Sequence, residues 1–203
     1  VKTLSEDGSL GIAQASVVQT DEKLIERVAF IHERFNTAAI IEQFIEGREL
    51  YVGVIGNDRL RVLPVWKLAF TEAADAPSRI ATAKVKHDPA YQERHGILHG
   101  LAENLIPGLD KRIQAMAKRI YRALQLDGYA RIDLRLSAND IPYFIEANPN
   151  PDIRPDQEFA QASIHDGLDY SALLERFLAL GLERARKEQG PRNIQARRRR
   201  LKS

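Results

Sequence analysis

Two short segments decide how this chain is interpreted: Gly128-Tyr129-Ala130-Arg131-Ile132-Asp133 and Tyr143-Phe144-Ile145-Glu146-Ala147-Asn148-Pro149. Apolar and polar residues alternate in both, as in β-strands whose side chains point in turn to opposite faces. Between them lies Ser137-Ala138-Asn139-Asp140, a composition typical of a turn. The pattern therefore predicts an antiparallel hairpin, and we take Asn139-Asp140 as its two-residue loop.

This hairpin would collect four polar side chains on one face. Asp133 would lie opposite Glu146, and Arg131 opposite Asn148. Two facing carboxylates repel unless a cation lies between them, and two acids with an amide oxygen suit Mg²⁺ held partly by substrate phosphates. An adjacent arginine could bind a phosphate or a developing oxyanion. The alternative is a solvated polar face on which Arg131 offsets the acids, and spacing alone leaves both open.

The residues that follow favour a site. Pro149-Asn150-Pro151-Asp152 cannot extend a central strand, so the polar face ends at a rigid loop. Together the two segments resemble the metal-binding end of ATP-grasp enzymes, most closely the D-alanine–D-alanine ligase branch. The resemblance implies that Asp133, Glu146 and Asn148 bind Mg²⁺ or Mn²⁺ and that Arg131 stabilises the transition state.

Further segments resemble the same family in the same order. They are Val1-Lys2, the glycine-rich loop Glu6–Gly11, the strand Ile40–Ile45, Gly47–Leu50 and Ala83-Lys84-Val85. The resemblance covers about residues 1–185 and implies ATP contacts from a set of polar side chains: Lys2, Ser9, Glu42, Glu49 and Lys84. Considered alone, Glu42 either pairs at a strand edge or accepts from an exocyclic amine.

The fold class expected from this resemblance is α+β, an ATP-grasp fold with an incomplete small subdomain and a larger antiparallel-sheet C-terminal subdomain. We expect residues 1–41 to form the partial small subdomain with the phosphate loop. Residues 42–189 would form the larger subdomain with the metal site. In the family an N-terminal domain precedes the segment that matches Val1-Lys2, so we expect an upstream region or a partner chain to supply it; a homo-oligomer is a further option.

The resemblance implies an ATP-dependent carboxylate–amine, or carboxylate–thiol, ligase that acts through an acyl phosphate on small molecules. Two departures leave the substrates open: Asp152 takes the place of a glycine of the D-alanine ligase branch, and Gly8 that of a serine. Arg154 could hold a substrate carboxylate or be a solvated loop residue. The alternative function is a non-catalytic or truncated nucleotide-binding module.

Composition agrees with a protein outside the membrane. No apolar run approaches spanning length and no signal peptide is apparent, so we expect a cytoplasmic protein. The absence of cysteine excludes disulfides and thiolate metal sites. Residues 190–203 hold six basic residues and no acid, which makes the high pI mostly a property of this terminus. We expect a disordered tail there, and nucleic acid as a partner only through it.

Periodicity predicts the remaining elements. A helix capped by Thr20 carries the apolar stripe Leu24, Val28, Ile31 and Phe35. Strands are expected at 39–45, 49–55 and 60–68, and little regular structure at 71–108. Asp110 is expected to cap a helix whose inward-facing residues are Ile113, Met116, Ala117, Ile120 and Leu124. Tyr170–Arg186 is expected to form a last helix with a core stripe of Leu173, Leu174, Phe177 and Leu178.

Overall fold

The computed structural model describes residues 1–6, 11–70 and 97–189. Ser9, Lys84 and the basic tail lie outside these ranges. The strands, in chain order, are β1 Lys2–Thr3, β2 Ala39–Ile40, β3 Arg48–Ile55, β4 Arg61–Val62, β5 Trp66–Phe70, β6 Ile97–Leu101, β7 Tyr129–Leu136 and β8 Pro142–Asn148. The helices are α1 Asp21–Phe35, α2 Leu109–Ala123, α3 Glu158–His165 and α4 Tyr170–Glu188. The expectation of a mixed α and β fold is confirmed.

Most of the described strands belong to one sheet. Its order is β6-β5-β3-β7-β8, with β4 paired to β3, while β1 and β2 form a separate two-stranded ladder. The chain divides into two compact units, residues 1–49 with 68–99 and residues 50–67 with 100–203. Among the described residues, no helix is both long and apolar enough to cross a membrane.

One face of β3 and β7 packs against α2 and forms the main core of the second unit. The alternating residues Ala130, Ile132, Leu134 and Leu136 of β7 are buried there, with Leu50, Val52 and Val54 of β3. Helix α2 contributes its buried stripe of Leu109, Ile113, Ala117 and Tyr121. The even-numbered positions of β7 are thus committed to this core, which leaves the odd-numbered ones for the opposite face.

The opposite face of β7 meets α3 and α4. The ring of Tyr129 stacks on Phe177 of α4, with 3.9 Å between centroids, and meets Phe159 of α3 edge-on at 5.9 Å. A side chain at Gly53 would come within 2.6 Å of Leu63 and 3.0 Å of Phe159, so a glycine is needed for this close approach. Arg131 and Asp133 lie on the same face of β7 as Tyr129.

The hairpin has the predicted register but a different loop. Arg131 pairs with Asn148 and Asp133 with Glu146, as expected. The loop, however, has three residues between Ser137 and Ile141, with the Asp140 N–H donating to the Ser137 carbonyl and Asp140 in the left-handed region at φ 55°. This is a type I turn followed by a left-handed residue, a common hairpin connection.

A β-bulge restores the register that the longer loop would have shifted. Leu134 pairs with Phe144 while Asp133 pairs with Glu146, so Ile145 has no residue opposite it. The extra residue in β8 offsets the extra residue in the loop. The polar pairs therefore meet as predicted, although the two-residue loop was wrong.

Helix boundaries mostly follow the predicted patterns. Helix α1 begins after Thr20, whose hydroxyl accepts from the Lys23 N–H at 3.3 Å. Helix α2 begins one residue before Asp110, with Gly108 at the cap position, so Asp110 lies in the first turn instead of capping. Two expected core residues are exposed, Leu124 at the end of α2 and Leu178 on α4. The periodicity placed both helices correctly but placed the edges of their apolar stripes wrongly.

The strand predictions were too long, and one helix was missed. Strand β2 is limited to Ala39–Ile40 because β1 offers only two residues as partners. The expected strand at 60–68 is divided into β4 and β5, with Pro64 between them. Strand β6 lies within the segment expected to be irregular, and α3 was not predicted.

Candidate functional site

A buried ion pair lies on the α3 side of β7. Arg131 and Asp133 are two residues apart, so their side chains lie on the same face of the strand. Nε and Nη2 of Arg131 donate to the two carboxylate oxygens of Asp133 at 2.7 and 2.8 Å. The side chains are only 9% and 3% exposed. This bidentate geometry fixes the plane of the guanidinium group.

Helix α3 supplies a second acid to the same arginine. Glu158, the first residue of α3, accepts from Nη1 of Arg131 at 2.7 Å and is itself buried. The ring of Tyr51 on β3 lies under the guanidinium, 4.8 Å from its carbon atom. Three elements, β7, α3 and β3, therefore hold Arg131. We call Arg131, Asp133 and Glu158 the buried triad.

The buried triad carries one formal negative charge. Burial alone lowers the pKa of Arg131, but the charge of Asp133, the hydrogen bonds to it and the charge of Glu158 outweigh burial and raise that pKa. Arg131 is thus fully protonated at any physiological pH. One guanidinium faces two buried carboxylates, and uncompensated charge is costly in such a setting.

Glu146 and Asn148 add oxygen atoms beside the buried triad. They lie on β8, opposite Asp133 and Arg131 respectively. The amide oxygen of Asn148 accepts from the Asn150 N–H at 2.9 Å, which leaves its second lone pair available. Asp133 accepts from Arg131 through both carboxylate oxygens, and a carboxylate oxygen can accept more than one contact.

This set of ligands fits a hard divalent cation. Glu146 brings the local formal charge to −2, which one Mg²⁺ would neutralise. Within residues 1–6, 11–70 and 97–189 no group of three or more acidic, histidine or cysteine side chains could hold a metal alone. Two carboxylates with an amide, completed by water and phosphate oxygens, are nevertheless a usual set for Mg²⁺.

Three of the predicted ATP contacts, Lys2, Glu42 and Glu49, lie in the first unit. Nζ of Lys2, on β1, forms an ion pair with Glu42 at 2.8 Å. Glu42 lies two residues beyond the end of β2, and its role as an ATP contact stays a prediction. Glu49 lies on β3, at the end of the first segment of this unit. Ser9 and Lys84 lie outside the described residues.

Comparison with known proteins identifies the family. The family model described as D-ala D-ala ligase C-terminus matches residues 1–179, most of the chain. The chain belongs to the D-Ala-D-Ala ligase C-terminal family. Among curated relatives, the D-alanine–D-alanine ligase of Geobacillus thermodenitrificans is 32% identical over 194 residues, 93% of this chain and 48% of the relative. That of Desulfotalea psychrophila is 29% identical over 195 residues, 94% of this chain and 55% of the relative.

Solved structures of ligases share the fold. A Coxiella burnetii D-alanine–D-alanine ligase aligns with TM-score 0.71 and 18% identity over 92% of this chain and 45% of that one. A Bacillus anthracis ligase complexed with ATP aligns with TM-score 0.65 and 22% identity over 85% of this chain and 50% of that one. The expected ATP-grasp fold is therefore confirmed. The chain spans about half the length of the curated relatives it matches.

Sequence reasoning missed two members of the site, Glu158 and Tyr51. Tyr51 lies in a buried strand run and was indistinguishable from a core aromatic residue. The only local signal for Glu158 was an acid beside Phe159, as expected in the first turn of a helix. Because α3 has only eight residues, its periodicity is too short to be recognised. The D-Ala-D-Ala ligase C-terminal family match does not by itself assign a role to either residue.

Proposed function

We propose that this chain is the ATP- and metal-binding part of an ATP-dependent ligase that joins a carboxylate to an amine, or to a thiol, through an acyl phosphate. The observation that carries the proposal is the pairing of Asp133 with Glu146 beside the buried Arg131. A cationic side chain beside a pair of acids suits transfer of a phosphoryl group, which depends mainly on positioning and charge neutralisation.

Asp133, Glu146 and Asn148 are the residues that would hold Mg²⁺ or Mn²⁺. Glu146 is exposed on β8 and Asp133 is buried on β7, so one acid faces solvent and the other belongs to the buried triad. The chemistry supplied by a divalent cation in such a place is neutralisation of phosphate charge and polarisation of the γ-phosphoryl group.

Arg131 would stabilise the transferring group. Of its five N–H groups, three donate to Asp133 and Glu158, which leaves one each on Nη1 and Nη2. In the first step an oxygen of the substrate carboxylate attacks the γ-phosphorus, the bond to the β-phosphate oxygen breaks, and ADP leaves. The two remaining N–H groups of Arg131 are suited to the phosphoryl oxygens, where charge accumulates.

The second step needs no nucleophile from the protein. The amine attacks the carbonyl carbon of the acyl phosphate, the carbon–oxygen bond to phosphate breaks, and the amine proton passes to water. Since phosphate is a good leaving group, the protein contributes orientation and exclusion of water.

The nucleotide contacts belong to the same proposal. We assign ATP binding to Lys2, Ser9, Glu42, Glu49 and Lys84, with residues 1–41 as the small subdomain and 42–189 as the larger one. Lysine is a compact charge suited to phosphate. Because Lys2 is paired with Glu42, binding of phosphate at Lys2 would replace one partner with another.

The relatives named D-alanine–D-alanine ligase make amino acids the first substrates to examine. The loop after β8 differs from that branch at Asp152, whose carboxylate pairs with Arg154 at 2.8 Å. The N–H of Arg154 also donates to Asp152 at 3.0 Å, which closes a compact turn. Arg154 is exposed, whereas Asp152 is half-buried.

Transfer of labelled oxygen tests the proposed chemistry. The protein is incubated with ATP, Mg²⁺ and a panel of amino acids with both carboxylate oxygens ¹⁸O-labelled. An acyl phosphate passes one carboxylate oxygen to inorganic phosphate, so we expect phosphate with one ¹⁸O in equal amount to ADP. Phosphate labelled only from ¹⁸O-water, with no label from any carboxylate, would show simple hydrolysis and contradict the proposal.

A further inference from the structure

Glu158 connects helix α3 to Arg131. Its carboxylate accepts from Nη1 at 2.7 Å, while Asp133 accepts from Nε and Nη2. Asp133 lies on the same strand as Arg131, but Glu158 belongs to another element. The bidentate contact with Asp133 sets the plane of the guanidinium group, and the contact with Glu158 on a second element holds it in place.

A purely structural role accounts poorly for this arrangement. Burial of three charged groups costs free energy, and an apolar cluster of similar size stabilises a protein equally well. Moreover, Arg131 is 91% buried yet keeps two N–H groups with no acceptor among the described residues. These two N–H groups are suited to an acceptor from outside the chain, such as a phosphoryl oxygen.

We infer that Glu158 is a positioning residue for phosphoryl transfer, holding Arg131 so that its two remaining N–H groups point at the transferred phosphoryl group. The inference rests on the proposed function. The physical reason concerns Asp133, which would both bind the cation and hold Arg131. When electron density of Asp133 is drawn to a bound cation, its hydrogen bonds to Arg131 weaken, and Glu158 remains as the carboxylate that holds the guanidinium.

The first test compares variants of Glu158 in steady-state kinetics. Glu158→Gln keeps an acceptor oxygen but loses the charge, and Glu158→Ala loses both. We expect kcat to fall about 10- to 100-fold for Ala and less for Gln, with KM for ATP within about threefold of the parent. Asp156→Asn is the matched control, because it removes an exposed acid two residues earlier and should leave kcat unchanged.

A double-mutant cycle shows whether Glu158 acts through Arg131. Arg131→Lys keeps the charge but lacks the planar fork that contacts both acids in a fixed geometry, so it is expected to fold and to react slowly. In that background, Glu158→Ala should change kcat less than twofold, since nothing remains to be positioned. Full additivity of the two effects would overturn the inference.

Nuclear magnetic resonance of the arginine side chains gives a readout that does not depend on turnover. In the parent protein, rotation about the Nε–Cζ bond of Arg131 should be slow, with separate signals for Nη1 and Nη2. In Glu158→Ala one of the two contacts that oppose this rotation is lost, so the signals should broaden towards merging, whereas in Asp156→Asn they should remain separate.

The outcomes separate this inference from the proposed function. A lower unfolding temperature for Glu158→Ala, with kcat unchanged well below that temperature, would make Glu158 only structural. Restricted rotation of Arg131 that persists in Glu158→Ala would also overturn the inference. If the parent protein released no ADP, the proposed function would fail. Broadened or merged signals in Glu158→Ala would then show that Glu158 holds Arg131 without a part in catalysis.

Discussion

Arg131 is central to both the geometry and the charge of the site. It lies between Asp133 and Glu158 over the ring of Tyr51, and all three contacts stabilise its positive charge. A buried guanidinium of this kind cannot be replaced by an apolar side chain without leaving two carboxylates unpaired. Arg131 is therefore expected to contribute to the stability of the fold as well as to the chemistry of the site.

Arg131→Leu should destabilise the fold strongly. The substitution leaves Asp133 and Glu158 buried without a cation, and loss of one partner from a buried pair costs about 3–5 kcal/mol in free energy of unfolding. Arg154→Leu is the control, because Arg154 also pairs bidentately with an acid but is exposed. Urea denaturation at neutral pH should show a large loss for the first variant only; equal stability of both would contradict the burial of the triad.

At the scale of elements, the hairpin shows which features of the fold can be predicted. Alternation identified β7 and β8, and the turn composition joined them. The pairing of Asp133 with Glu146 was predicted from a two-residue loop, but it arises from a three-residue loop combined with a bulge at Ile145. Bulges depend on tertiary packing and leave no clear pattern in a single sequence. The predicted register is correct because the extra loop residue and the bulge cancel each other.

Helix α3 shows what the sequence could not provide. It is short and follows a proline-rich loop, and it brings Glu158 to Arg131 from 27 positions further along the chain. Contacts between residues distant in sequence follow from packing of the whole unit, and no local spacing predicts them. For the same reason, the edges of the apolar stripes of α2 and α4 were wrong at Leu124 and Leu178.

Two leucines of α4 provide a test of that packing. Leu173 is fully buried, whereas Leu178 is 70% exposed. Leu173→Ala should lower the free energy of unfolding by about 2–5 kcal/mol through the lost contacts and the cavity. Leu178→Ala should change it by less than about 0.5 kcal/mol. Thermal or urea denaturation with similar losses for both variants would show that α4 packs differently.

At the scale of the whole molecule, the predicted family rested on the order of the motifs along the chain. Each motif alone, such as Lys2 or Glu49, has an ordinary explanation as a surface charge. Their sequence along 179 residues matches the D-Ala-D-Ala ligase C-terminal family. The fold and the hairpin could thus be predicted, while the roles assigned to all the site residues stay predictions. Two of these residues, Ser9 and Lys84, lie outside the described residues.

The central claim is that the face of the hairpin with Asp133, Glu146 and Arg131 is the centre for phosphoryl transfer. Glu146→Gln tests it most directly, because Glu146 is exposed on β8 and its substitution should leave the buried triad and the fold intact. ADP release is measured over a range of Mg²⁺ concentrations for this variant and for Glu175→Gln, an exposed acid of α4. The account predicts that kcat falls by about 10²–10³-fold for Glu146→Gln and is unchanged for Glu175→Gln. Turnover and Mg²⁺ dependence like the parent's in a folded Glu146→Gln protein would contradict it.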